Sequence, residues 1–228
     1  MKLTGDPQFR KNSYPGTYIA FEGIDGSGKT SQLAHLKEYF ESGDKTVVET
    51  SEPNRELVIG KVIGEVLSNK EKILPTAMQY LMTADRVENH EKIIYPALKK
   101  GNVVLSHRSF WSNVPHGMLE LDQATIDRET AYSILFSTGV LSTHFQFIKP
   151  DLTFYLKISA ETAVSRILKN RKVQELYEKK DKLARIMSGY EWQIQEFKKE
   201  FIVIDAERGE KEVTAQILEH IKQYEDKN

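Results

Sequence analysis

The sequence predicts a three-layer α/β fold, with a five-stranded parallel sheet and helices on both faces. Three observations carry that expectation. Short apolar runs alternate with longer segments of helical period, the pattern of successive βαβ units. A glycine-rich turn joins the first apolar run to the first helical segment. The chain has 228 residues, enough for one large domain with a substantial core and no need of a second.

Taken in order, residues 1–16 are polar, contain two prolines and lack the apolar stretch of a signal peptide, so they read as a loose leader that could cap a domain edge. A single domain is expected over residues 17–228. Strands are expected at Tyr18–Glu22, Thr46–Thr50, Val103–Ser106, Leu152–Leu156 and Phe201–Ile204. Between the second and third of these, Thr76–Lys100 carries Met78, Leu81, Met82, Val87, Ile93, Ile94 and Leu98 at helical spacing and stops at Gly101. This predicts one long helix, bent near Pro96. A second helical stretch runs from about Gln123 to Phe145, and Pro150 opens the next strand. Ser165–Lys182 sets Arg166, Lys169, Arg171, Lys172, Lys179, Lys180 and Lys182 against few large apolar residues, a composition that suits a lid.

Composition removes several functions. Charged residues make up 29% of the chain, yet the formal net charge is -1. No global positive field therefore draws nucleic acid or an anionic membrane, and any phosphate binding must be local. The absence of cysteine excludes disulfides, thiolate nucleophiles and Cys-ligated zinc, and fits a reducing cytoplasm. No apolar run approaches the roughly 18 residues of a membrane span.

Gly23-Ile24-Asp25-Gly26-Ser27-Gly28-Lys29-Thr30 satisfies G-x-x-x-x-G-K-[ST], the phosphate loop, with a strand before it and, past Ser31, the helical-looking segment Leu33–Lys37 after it. Its glycines allow successive N–H groups to turn inward, and the helix adds its positive end. In this motif Lys29 reaches the β and γ phosphates and the Thr30 hydroxyl takes one Mg²⁺ position. The bland alternative, a glycine-rich turn matching by accident, is disfavoured by the strand–loop–helix setting. Such a loop serves motors, GTPases and kinases alike. A regulatory GTPase is disfavoured, because neither Asn-Lys-x-Asp nor Asp-x-x-Gly closing the third strand occurs.

Two arginines narrow the choice. Arg55 follows the second strand and Arg108 the third, just beyond the strand ends where open parallel sheets bind ligands. A guanidinium there can hold an acceptor phosphate through two hydrogen bonds, although an exposed charge or a helix-cap ion pair would leave the same sequence. Phe110 and Trp111 beside Arg108 read as core more readily than as pocket lining, and Tyr190 and Trp192 read as packing.

The chain resembles the thymidylate kinases, nucleoside monophosphate kinases of the phosphate-loop NTPase fold, over about residues 17–224. The resemblance rests on "FEGIDGSGKTSQ", Pro53-x-Arg55 with Ile59-Gly60, "MTADR" ending at Arg86, "YPALKKGNVVLSHR" ending at Arg108, "PDLTFYL" at Pro150–Leu156 and "VIDA" at Val203–Ala206. It implies Mg·ATP-dependent phosphoryl transfer to a nucleoside monophosphate, with dTMP the family substrate, and a homodimer. By position it also implies that Arg55 and Arg108 hold the acceptor phosphate, that Arg86 bonds the base and that Asp25 bonds the sugar 3′-hydroxyl. Met82 takes the place of the aromatic that stacks on the base, and Ser112 and His116 lie in a segment that contacts sugar and base. Arg166 would stack on adenine, opposite the loop at Ala206. Some members carry a catalytic arginine at the position of Gly26, so the resemblance implies that the charge comes instead from the lid, Arg171 first and Lys172 second.

Several positions depart from the family pattern. His107 stands where an aspartate near Mg²⁺ is usual, so either another carboxylate such as Glu22 or Asp25 supports the metal or activity is weak; a structural histidine is the alternative. Ser51 replaces an arginine, and Lys157 ends the fourth strand where an acid is common. Two other readings therefore stand beside the monophosphate kinase. One is a deoxynucleoside kinase, whose acceptor gives two arginines no phosphate to hold. The other is a nucleotide-binding module that has lost catalysis.

Overall fold

A computed structural model of the chain describes residues 9–68, 73–117, 127, 130, 135, 147–167 and 173–227. Five strands, β1 (Thr17–Glu22), β2 (Val47–Ser51), β3 (Val103–His107), β4 (Leu152–Lys157) and β5 (Ile202–Asp205), form one sheet in the order β2-β3-β1-β4-β5. Every neighbouring pair is parallel. Each strand lies where the sequence placed it, within one residue at either end. The inner runs β1, β3 and β4 read as largely apolar segments because both faces of the sheet are covered there. On one face Tyr18 and Val104 pack against Ile94, Tyr95 and Leu98. On the other, Ile19, Phe21 and Leu105 share a core with Leu33, Leu36 and Phe40.

The connections are helices α1 (Lys29–Ser42), α2 (Val58–Leu67), α3 (Pro75–Asn89), α4 (Tyr95–Lys99), α5 (Asn113–Gly117), α6 (Ala160–Ile167), α7 (Val173–Glu196) and α8 (Glu210–Glu225). The long helix expected over Thr76–Lys100 is not continuous. Between α3 and α4 the five residues His90–Ile94 take a π-helical turn, in which the Tyr95 N–H bonds the His90 carbonyl five residues back. Pro96 explains the interruption, since it has no N–H to offer an α-helical partner and its ring crowds the preceding turn.

Of the segment expected as a leader or an edge cap, residues 1–8 lie outside the described residues, and residues 9–16 are tied to the domain edge. Asn12 Nδ2 donates to the Gly16 carbonyl at 2.7 Å and to Asp151 Oδ2 at 2.8 Å, and Asp151 also accepts from the Tyr18 N–H. The lid expected at 165–182 coincides in part with the end of α6 and the first half of α7, while Arg171 and Lys172 lie outside the described residues. So does most of the Gln123–Phe145 stretch.

Candidate active site

Because β1 is central, with β3 on one side and β4 on the other, the chain diverges at its C-terminal end and leaves a crevice there. The phosphate loop fills that crevice. Gly23, Gly26 and Gly28 have φ of 138°, 82° and 97°, conformations that side chains adopt rarely. A cleft of about 490 Å³ runs along residues 25–32 and is closed by His107, Arg166, Ala206 and Arg208. Lys29 is 4% exposed, and its ammonium donates to the carbonyls of Gly23 and Ile24, each at 2.9 Å. Burial, reinforced by the Arg108 cation, brings its pKa down from 10.5 to about 7. Ser27 is buried, and its hydroxyl has no partner among the described residues.

A second cleft of about 370 Å³ lies between the ends of β2 and β3 and under α3. Its walls include Arg55, Met82, Arg86, Arg108, Ser112 and His116. Asp25 lines both clefts. Arg108, which the sequence placed as a phosphate ligand, is 8% exposed and already engaged. It donates to Asp25 Oδ1 at 2.9 Å, to the Gly23 carbonyl at 3.1 Å and to the Tyr190 hydroxyl at 3.0 Å. Burial opposes ionisation of Asp25, but the Arg108 and Lys29 cations outweigh it and hold its pKa below the ordinary value. Arg55 is exposed, with no hydrogen bond among the described residues. Arg86 is buried, donating through Nε to Glu52 Oε2 at 2.8 Å and through Nη2 to Asn113 Oδ1 at 2.8 Å, while its Nη1 has no partner among the described residues. The His116 Nε2 is likewise unpartnered, and burial with the nearby Arg108 keeps that ring neutral.

Glu22 corrects one expectation. It is fully buried and cannot support a metal in either cleft. Its Oε1 accepts from the Ser109 N–H at 2.7 Å and hydroxyl at 2.8 Å; its Oε2 accepts from the Ser112 hydroxyl at 2.6 Å and the Tyr190 hydroxyl at 2.7 Å. A carboxylate at the end of an apolar strand needs such donors, because an unpaired buried charge would be far more costly. Tyr190 is therefore more than packing: it links α7 to Arg108 and Glu22. The signal was available in Glu22 itself, with two serines waiting after β3. Phe110 and Trp111 are core, 3% and 0% exposed.

Asn54 and Asp85 form a further support that sequence reasoning missed. The Asn54 N–H lies 3.1 Å from each Asp85 carboxylate oxygen, and the Asn54 side chain bonds Thr50 and Asn89. This network fixes the turn that carries Arg55 against α3. Burial raises Asp85 to about 6, and burial likewise raises Glu52 to about 7 in spite of Arg86.

His107 borders the phosphate-loop cleft with its pKa lowered to about 4 by burial and by Lys29 and Arg108, so it is a neutral ring. Gly26 faces α6 closely: a Cβ there would lie 2.8 Å from the Ala163 carbonyl, which leaves no room for an arginine. Arg166 borders the cleft from α6, donating to the Ala206 carbonyl at 2.9 Å. The Thr30 hydroxyl is exposed at the mouth of the cleft, with Ser31 beside it. Among the described residues no cluster of three or more His, Asp or Glu could hold a metal. Nor is any described helix long and apolar enough to cross a membrane.

The thymidylate kinase family model matches residues 21–217. A probable thymidylate kinase of Methanocaldococcus jannaschii is 33% identical over 206 residues, covering 90% of this chain and 95% of that one. The thymidylate kinase of Kosmotoga olearia is 30% identical over 207 residues, covering 88% and 93%, and a probable thymidylate kinase of Thermococcus kodakarensis is 31% identical over 209, covering 88% and 95%. Matched along most of its length by the family model and nearly end to end by these relatives, the chain belongs to the thymidylate kinase family.

Proposed function

We propose that this chain transfers the γ-phosphoryl group of Mg·ATP to the phosphate of dTMP. The observation that carries the reading is the meeting of two clefts at Asp25, one built on a phosphate loop and the other rimmed by Arg55 and Arg108. A donor and an acceptor held there face one another across a single carboxylate. Phosphoryl transfer asks the protein for position and positive charge rather than covalent chemistry.

The donor fits the first cleft on two counts. The unpartnered Ser27 hydroxyl and the Lys29 ammonium, which rests on its own loop, are groups that phosphate oxygens would satisfy. For Mg²⁺ the protein offers the Thr30 hydroxyl, enough for an ion that binds mainly to phosphate and water. When bound, it would neutralise charge on the transferring group. Lys29 follows that group as charge shifts, and Arg166 with Ala206 would frame the base. Arg171 or Lys172 would complete the positive cradle from the lid.

In the second cleft Arg108 and Arg55 hold the acceptor phosphate. Asp25 steadies Arg108 and accepts from the sugar hydroxyl, Ser112 and His116 line the sugar and base region, Met82 packs on the base, and Arg86 offers its free Nη1 to a base carbonyl. The enzyme works as a homodimer. Supporting this, Val58, Val62, Leu67, Leu74 and Tyr80 on and beside α2 and α3 are large apolar groups left exposed. A cysteine-free chain of this kind suits the reducing cytoplasm.

An assay of ADP release with dTMP, dUMP, dCMP, dGMP and thymidine tests the assignment. The expected result is release with dTMP foremost and none with thymidine. In Arg108→Ala the acceptor KM rises and kcat/KM falls by about a hundredfold. Release with thymidine alone would make the chain a nucleoside kinase, and none with any acceptor would leave a binding module.

A further inference from the structure

We infer that residues 9–14 are a strap that sets the acceptor side of the site, with Phe9 as a positioning residue for Arg108. The inference rests on the acceptor reading above only for its kinetic half. The strap lies outside residues 21–217, the stretch the family model matches.

Arg108 has φ of 79°, a left-handed conformation that a non-glycine residue holds only when its surroundings over-determine it. Three kinds of contact do so. The Arg108 N–H donates to the Phe21 carbonyl at 3.0 Å and the Ser106 hydroxyl donates to the Arg108 carbonyl at 2.6 Å. Ser109 is fixed on Glu22. The next two residues, Phe110 and Trp111, are anchored as aromatic bodies, and Phe9 is part of that anchor. Its ring stacks on Phe110 with centroids 5.7 Å apart, and meets Trp111 edge-on at 5.1 Å and Phe197 at 6.0 Å.

The rest of the strap reaches the continuation of the helix that lines the acceptor cleft, beyond the cleft itself. The Lys149 N–H donates to the Arg10 carbonyl at 2.9 Å, in an isolated bridge to Ile148. The Arg10 guanidinium lies 5.6 Å over the Tyr95 ring, and Tyr14 meets the same ring at 6.1 Å. Tyr95 begins α4, whose π-helical entry continues the helix that carries Met82 and Arg86. One short segment thus touches the turn after Arg108 at one end and the continuation of α3 at the other. A strained arginine and a buried base-side arginine are referred to a common frame.

The test compares full-length wild type, Phe9→Ala and Phe9→Tyr by steady-state kinetics and by hydrogen exchange without nucleotide. We expect Phe9→Ala to raise the acceptor KM about tenfold while the ATP KM stays within about twofold, and Phe9→Tyr to restore the acceptor KM. Exchange at the Ser109 and Trp111 amides should accelerate in Phe9→Ala, with the strands β1 and β4 unchanged. Equal rises in both KM values with faster exchange throughout the sheet would reduce Phe9 to general packing and overturn the proposal. Unchanged exchange at Ser109 and Trp111 would also overturn it. Should wild type turn over no monophosphate, the acceptor reading fails while the exchange comparison still decides the strap.

Discussion

Lys29 and His107 show at the level of single residues how local charge is set. The unfolded chain would hold the Lys29 proton up to the ordinary lysine value of 10.5, whereas the folded chain releases it near 7. Between those limits the unfolded state binds more protons, so the contribution of Lys29 to stability rises with pH. Anionic phosphates reverse the balance by favouring the ammonium. Binding of ATP at about pH 8 should therefore take up close to one proton, seen as a calorimetric enthalpy that varies with the ionisation heat of the buffer; a buffer-independent enthalpy would contradict the assigned pKa. His107 gives no charge to this balance, since its ring is neutral above about pH 4. Replacing it, His107→Asp should raise the Lys29 pKa, reduce that uptake and increase kcat by about tenfold, on the argument that a carboxylate beside the nucleotide cleft is what the site lacks. A fall in kcat would show that the neutral imidazole itself is needed. At this scale the sequence displayed the phosphate loop and the placement of Arg55 and Arg108 beside the second cleft, because motif spacing and strand ends can be read along the chain. It hid Tyr190, whose hydroxyl meets Glu22 and Arg108 only because α7 crosses the end of β1, a contact over 168 positions of chain.

At the level of elements, α3 lines one wall of the second cleft and α2, which packs directly on it, adds Leu67. Their contact depends on Gly60. A Cβ there would lie 1.9 Å from the Asn54 carbonyl and 2.8 Å from Asp85 Oδ1, the network that holds the Arg55 turn. Gly60→Ala should therefore lower stability by about 2 kcal/mol and raise the acceptor KM more than the ATP KM, checked by denaturant titration and kinetics. Unaltered stability would mean that the turn yields freely. The sequence marked the α3 region as helical from its apolar period, yet it could not reveal the π-helical turn. Periodicity reports which residues face the core, and the five residues of α4 that follow the π-helical turn are too few to display the shifted phase. Pro96 marked the place of the break but not its form. Strand ends slipped by one residue for a similar reason, since hydrogen bonding to neighbours, not composition, decides where pairing stops.

For the molecule as a whole, the parallel sheet and its layers were legible because buried strands must be apolar on both faces, which a linear sequence displays plainly. The order β2-β3-β1-β4-β5 was not written in any one run; it follows from how crossover helices pack. Exposed apolar groups on α2 and near α3 belong to this scale as well. Val58 and Leu74 are 63% and 76% exposed. In sedimentation, the wild type should behave as a dimer and Val62→Asp should shift it towards monomer, because a carboxylate on that face would be desolvated by the partner; a monomeric wild type at high concentration would refute the dimer. The two halves of the site also have one atom in common. The Gly23 carbonyl receives both the Lys29 ammonium and the Arg108 guanidinium. If an incoming anion drew the ammonium away, that oxygen would be left to the guanidinium alone. One shared carbonyl would then be enough to let each pocket sense the filling of the other.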